Sequence, residues 1–246
     1  MLKYNELTKR GQIRRLRRLA ENALKEFGIA NYRLRFLKHL VNTTFVLNCD
    51  RGRFLVRIHR VPEHTPERIA SELAWLDALS CDTDLVVQAP MKTQDERMVV
   101  MAVADGVPDP LPVTILTWVE GRILPPVKRK PRDFVHLGQL VAKLHVHASD
   151  WKPPSKPDRR TYDADGVFGT QAVRPFTALT TDDVPREVID GLAEGYKRLK
   201  AVEQSLGRSK EHFGFIHFDL SFSNVLFTAV EARPIDFDEC GFGFYL

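Results

Sequence analysis

Near its end the chain runs Phe215-Ile-His-Phe-Asp-Leu-Ser-Phe-Ser-Asn224, then Pro234-Ile-Asp-Phe-Asp-Glu239. His217 and Asp219 are two apart, Asn224 follows Asp219 by five, and Asp236 follows Asn224 by twelve. No other stretch constrains the fold as tightly. Apolar neighbours flank each polar group: Ile216, Val225 and Leu226, Ile235 and Phe237. Such flanks pin an acid, an amide and a second acid on rigid backbone. A turn with Asp and Asn in their ordinary hairpin roles accounts for Asp219 and Asn224 alone. It does not account for His217, Asp236 and the repeated apolar flanks together.

That order supplies the parts phosphoryl transfer needs: a proton acceptor, an amide oxygen and a metal-binding carboxylate. Asp219 is acceptor-only at neutral pH and is suited to take a proton from an acceptor hydroxyl. Asn224 offers a neutral oxygen and Asp236 a charged one. Both suit magnesium, which uses few protein ligands beside phosphate oxygens. His217 belongs to the same catalytic loop, in a hydrogen-bonding role that shapes it. Ser221 and Ser223 have no triad-type base beyond Asp219, so a serine hydrolase is not supported.

Length and composition fit this chemistry. The 246 residues suit one large domain or two lobes. With 43% hydrophobic and 28% charged residues, the chain reads as an ordinary soluble globular protein. No run approaches the roughly 18 apolar residues of a membrane span. The start, Met1-Leu-Lys-Tyr-Asn-Glu6, lacks a signal-peptide core. Cys49, Cys81 and Cys240 form no CxxC pair, which points to a reducing cytoplasm. A net charge of +4 fits an anionic nucleotide and does not call for nucleic acid.

Periodicity predicts a helix from Thr8 to about Phe27, stopped by Gly28, with one apolar stripe and one arginine-rich solvated face. Strands are predicted over 32–37, 43–48 and 54–59, the last two joined by a turn at Asp50-Arg-Gly-Arg53. The stretch Lys38–Thr44 reads as a hairpin or as a glycine-poor phosphate-covering loop. A helix is predicted over 66–79, and strands over 98–103 and 113–119. The second half reads as mainly helical, over 134–147 and 184–206, with a Pro- and Asp-rich loop over 151–169. His145 and His147 are two apart, so they do not share a helix face and do not suggest a metal pair. A strand-rich half followed by a helical half predicts two lobes with a cleft between them.

Arg57 interrupts the apolar strand Phe54-Leu-Val-Arg-Ile-His59, and Glu72 lies on the following helix. A strand cation oriented by a helix carboxylate is the usual device for holding nucleotide phosphates.

In order, these pieces resemble the aminoglycoside phosphotransferase and choline kinase superfamily. The matching segments are Thr44-Phe45, Leu55-Val-Arg-Ile-His-Arg60, Glu72-Leu-Ala-Trp-Leu76, Trp118-Val-Glu-Gly121, Leu137-Gly-Gln-Leu-Val-Ala-Lys-Leu-His145, His217 to Asn224, and Ile235-Asp-Phe-Asp-Glu239. The resemblance implies an α+β, bilobal, protein-kinase-like fold. Residues 1–30 would form a basic amphipathic helix and 31–120 a nucleotide-binding N-lobe with an antiparallel sheet. Residues 121–246 would form a mainly helical C-lobe, truncated after the metal-binding Asp236. It implies ATP and Mg2+ as cofactors and a small-molecule hydroxyl, or a protein Ser/Thr, as acceptor. Asp219 would be the base, Asn224 and Asp236 the metal ligands, and Arg57 with Glu72 the phosphate clamp. Thr43 and Thr44 would lie at the nucleotide. Trp118, Val119 and Glu120 would form the hinge receiving adenine on backbone groups. Arg57 departs from the family's Lys, Phe218 from its usual Gly, and Ser221-Phe222 from its common His-Pro. The alternative is a non-catalytic nucleotide-binding or scaffolding pseudokinase whose incomplete C-lobe self-associates or meets a partner.

Overall fold

The computed structural model describes residues 4–60, 65–172 and 175–245. Residues 173 and 174, just after the Pro- and Asp-rich stretch, lie outside them. So do residues 1–3 of the segment read for a signal peptide. The chain folds as α+β with an antiparallel N-terminal sheet, as its sequence predicts. It divides into two compact units: residues up to Gly121 with Pro154–Pro157, and Arg122–Pro153 with Asp158 onward.

The first unit opens with α1 (Lys9–Glu26). The Thr8 hydroxyl caps it by accepting from the Gly11 N–H at 3.2 Å, and Gly28, at φ 66°, turns the chain away. Its apolar stripe of Leu16, Leu19, Ala20, Ala23 and Leu24 is buried against Leu34, Phe45, Leu47, Phe54, Val56 and Ile58 of the sheet. Arg10, Arg14 and Arg18 remain exposed, whereas Arg17 donates to the Leu34 carbonyl at 2.8 Å.

The sheet is antiparallel, in the order β1 (Tyr32–His39), β2 (Thr43–Cys49), β3 (Gly52–Ile58), β5 (Leu111–Thr117) and β4 (Val100–Ala102). The strand expected over 98–103 shrinks to three residues, and the one expected over 113–119 shifts to start at Leu111. Helix α2 (Pro66–Asp82) is capped by the Thr65 hydroxyl and buries Ile69, Glu72, Leu73, Trp75, Leu76 and Leu79.

The second unit holds helices α3 (Pro131–Asp150), α4 (Ala164–Val167) and α5 (Arg186–Leu206). It also holds strands the sequence did not suggest. Strands β6 (Thr161–Tyr162), β10 (Gly241–Phe244) and β7 (Phe213–Ile216) form a three-stranded sheet. A hairpin of β8 (Val225–Phe227) and β9 (Ala232–Pro234) stands apart from it. Each is two to four residues long, too short to display an alternating pattern. Among the described residues no helix is long and apolar enough to cross a membrane.

Candidate active site

The second unit brings His217, Asp219, Asn224 and Asp236 together at strand ends. His217 follows β7 and is 3% exposed. Its Nε2 lies 3.0 Å from the Ile235 carbonyl oxygen and must donate, because a carbonyl only accepts. Nδ1 has no partner among the described residues. Burial pulls the imidazole's pKa below its ordinary value of 6.5, which keeps the ring neutral. His217 thereby fastens the backbone before Asp219 to the backbone before Asp236.

Phe218 has φ 65°, and the Asp219 N–H donates to the His217 carbonyl at 2.8 Å, closing a three-residue turn. A non-glycine residue in this region costs about 1–2 kcal/mol. The Tyr162 ring stacks on Phe218, with centroids 3.5 Å apart and planes 10° apart. Apolar surface removed from water between the two rings offsets part of that strain. After the turn, the Ser221 N–H donates to the Asp219 carbonyl and the Asn224 N–H to the Ser221 carbonyl, both at 2.9 Å.

The Asn224 side-chain Nδ2 donates to the Asp219 carbonyl at 2.9 Å and to Asp219 Oδ2 at 2.7 Å. Both neighbours are acceptors only, so the amide nitrogen must face them and Oδ1 is left for another partner. The β8–β9 hairpin pairs Val225 with Pro234, and the Ile235 N–H donates to the Asn224 carbonyl at 2.9 Å. Asn224 and Asp236 therefore flank the same end of the hairpin. Asp236, at φ 67° and ψ 63°, stands at the start of a short 3-10 turn over Phe237–Glu239 without a side-chain capping bond to it. An Asp carboxylate and an Asn amide oxygen from this end of the hairpin are hard donors, of the kind a small divalent cation takes alongside phosphate oxygens. Among the described residues no cluster of three His, Cys, Asp or Glu offers a different metal site. His145 instead stacks on Tyr245 at 4.6 Å, and His147 on Trp151 at 6.5 Å.

The first unit carries the remaining expected residues. Arg57 Nη1 lies 2.7 Å from Glu72 Oε1, with side chains 3% and 1% exposed. Across the sheet Lys38 pairs with Thr44, Thr44 with Arg57, and Arg57 with Thr114, which sets them in one cross-strand row. Thr43 is placed apart from that row. Successive strand residues face opposite sides, and Thr43 is buried with its hydroxyl 2.6 Å from His39 Nδ1.

At the end of β5, the Trp118 N–H donates to the Arg53 carbonyl at 3.2 Å. The Arg53 guanidinium sits 3.9 Å over the indole and 3.0 Å from Glu120 Oε1. Among the described residues no hydrogen bond engages the backbone of Val119.

Tyr162, which the sequence does not single out, and Glu239 adjoin the His217–Asn224 loop and the Asp236 turn. The Tyr162 hydroxyl donates to Glu239 Oε2 at 2.9 Å. Tyr162 lies in the Pro- and Asp-rich stretch read as loop, and no local pattern marks it.

The profile of the phosphotransferase enzyme family matches residues 34–246. An uncharacterised protein of Deinococcus radiodurans is 27% identical over 229 residues, which is 92% of this chain and 63% of the relative. This chain therefore spans less than two thirds of that relative's length. Among solved structures, a microcompartment-associated aminopropanol kinase is 28% identical with a TM-score of 0.71, covering 93% of this chain and 71% of that one. An amicoumacin kinase in complex with AMP-PNP and Ca2+ is 16% identical with a TM-score of 0.73, covering 97% and 69%. A spectinomycin phosphotransferase in complex with ADP is 12% identical with a TM-score of 0.59, covering 93% and 70%. The last two likenesses are of fold.

Proposed function

The chain belongs to the phosphotransferase enzyme family, and from that premise we propose that it transfers the γ-phosphoryl group of ATP to a hydroxyl of a small molecule. The observation that carries this reading is the Asp219–Asn224–Asp236 arrangement, held by the β8–β9 hairpin and by His217. Asp219 accepts the proton of the attacking hydroxyl. Asn224 and Asp236 would hold Mg2+, which neutralises charge on the phosphates when bound. Arg57, oriented by Glu72, would meet the phosphates. Thr44 stands beside Arg57 in the row that would face them, and Thr43 supports the hairpin through His39. Val119 offers unengaged backbone groups to an adenine edge. The likeness to an aminopropanol kinase makes amino alcohols the first acceptors to try.

The test is a phosphate-transfer assay over amino alcohols, hydroxylated amino acids and aminoglycosides, paired with thermal unfolding in Mg-ATP. A nucleotide binder is stabilised by mass action. Asp219→Asn should lose turnover and keep the Mg-ATP shift. Equal turnover in that variant would overturn the assignment of the base. Absence of both turnover and shift in the parent chain would overturn the reading itself.

A further inference from the structure

Tyr162 occupies a junction that the catalytic chemistry above does not use. Its strand, β6, lies parallel to β10, with Thr161 opposite Phe242 and Tyr162 opposite Gly243. The ring is buried and covers Phe218, the residue with positive φ just before Asp219. The hydroxyl reaches Glu239, three residues beyond Asp236 and at the end of the turn that Asp236 begins. One side chain thus touches both segments that carry the proposed base and metal ligand.

Its surroundings are built to hold it. Arg159 donates through Nε to the Cys240 carbonyl and through Nη2 to the Asp238 carbonyl, which ties the residues just before Tyr162 to the same turn. Gly241 leaves room for the ring: a Cβ there would lie 2.7 Å from Tyr162 Cε2. Burial and the Glu239 carboxylate both push the phenol's pKa upward, so the hydroxyl remains a donor across the working pH range.

We infer that Tyr162 is a positioning residue for phosphoryl transfer: its ring holds the Phe218 turn that presents Asp219, and its hydroxyl holds the turn that presents Asp236. The two roles separate by chemistry. Phe keeps the stack and loses the hydrogen bond, whereas Ala loses both. Glycine at 218 adopts positive φ without strain, so a Phe218→Gly background removes the need for the stack.

This inference rests on the proposed function for its kinetic arm only. The first measurement is amide hydrogen exchange of the full chain without nucleotide. Tyr162→Ala should speed exchange at Asp219, Ser221 and Asn224 about tenfold, and Tyr162→Phe should leave it near the parent, since exchange follows local opening. Unchanged exchange in the alanine variant overturns the brace, whether or not the chain is a kinase. The second measurement is kcat against Mg2+ concentration. Tyr162→Ala should lower kcat by roughly 10–100-fold with little change in KM for ATP, as misplacement of a reacting group does. Tyr162→Phe should restore most of kcat while needing more Mg2+. On the Phe218→Gly background the alanine effect on exchange at Asp219 should shrink. An alanine effect of the same size on both backgrounds overturns the stacking role. An unfolded alanine variant leaves the phenylalanine variant to decide: an Mg2+ requirement equal to the parent's overturns the role of the hydroxyl.

Discussion

The Asn224 side chain grips Asp219 twice, at its carbonyl by 2.9 Å and at Oδ2 by 2.7 Å. The grip fixes the rotation of the carboxylate, and the same amide presents its oxygen elsewhere. One residue thereby aims the proposed base and supplies the proposed metal oxygen. The paired backbone of Asn224 and Ile235 sets Asp236 close behind it.

Replacing Asn224 with Ala should therefore harm catalysis far more than stability. Asp219 is exposed, so loss of two solvent-accessible hydrogen bonds should cost within about 1.5 kcal/mol. The freed carboxylate should lower kcat by about 100-fold, the scale of a small misplacement of a reacting group. Asn224→Asp keeps an oxygen for the metal but sets a second acceptor-only group against Asp219. It should show a steeper Mg2+ requirement than the parent, because a cation is needed to hold the two carboxylates together. Steady-state kinetics over a Mg2+ series, with urea unfolding of each variant, measures both. Parental kcat in Asn224→Ala would remove the amide from the aiming of Asp219.

Arg57 and Glu72 form a pair of another kind, with 3% and 1% of their side chains exposed. Removing one partner from a buried pair leaves an uncompensated charge and costs about 3–5 kcal/mol. Glu72→Ala should lower the urea midpoint accordingly. The double replacement Arg57→Met with Glu72→Leu should recover most of the lost stability, because no charge is then left buried. It should still bind Mg-ATP more weakly than the parent by calorimetry, because the strand cation is gone. Parental affinity in the double variant would show that Arg57 serves the fold and not the phosphates.

Long elements were legible because their patterns repeat. Helix α1 carries its apolar stripe over five buried positions, and β2 and β3 each run seven residues. Arg57 stood out as a cation in an apolar strand, and its partner lay one helix away. The short strands of the second unit were not legible, because their identity comes from pairing with distant partners, as Thr161 does with Phe242. Tyr162 was hidden for the same reason, since Glu239 is 77 residues further along the chain. Thr43 and Thr44 were grouped together although neighbouring strand residues face opposite sides, and the hydroxyl of Thr43 is held by His39. The departure of Phe218 from the family's glycine was visible in the sequence. Its consequence, a positive φ supported by an aromatic stack, required the fold.

The buried His217 should make stability depend on pH. Burial lowers its pKa in the folded state below the ordinary 6.5, and the hydrogen bond to Ile235, with the nearby Asp236 and Asp219 charges behind it, only partly opposes this. Above about 6.5 neither state binds the proton and His217 contributes no pH dependence. As pH falls below that value the unfolded chain takes up the proton and the folded chain does not. Stability must then fall with pH, at no more than about 1.4 kcal/mol per pH unit for one group, until the folded value is reached. His39 and His145, also lowered by burial, act in the same direction. Glu203, raised by its own burial, acts oppositely at lower pH, so the comparison belongs between pH 7.5 and 5.5. Gln at 217 offers an N–H to the Ile235 carbonyl but does not titrate. Urea midpoints should therefore drop less between pH 7.5 and 5.5 in His217→Gln than in the parent, whatever the absolute stability of the variant. Equal drops would mean that His217 takes up its proton as readily in the folded chain as in the unfolded one, and that the neutral, Nε2-protonated ring is not what joins Asp219 to Asp236.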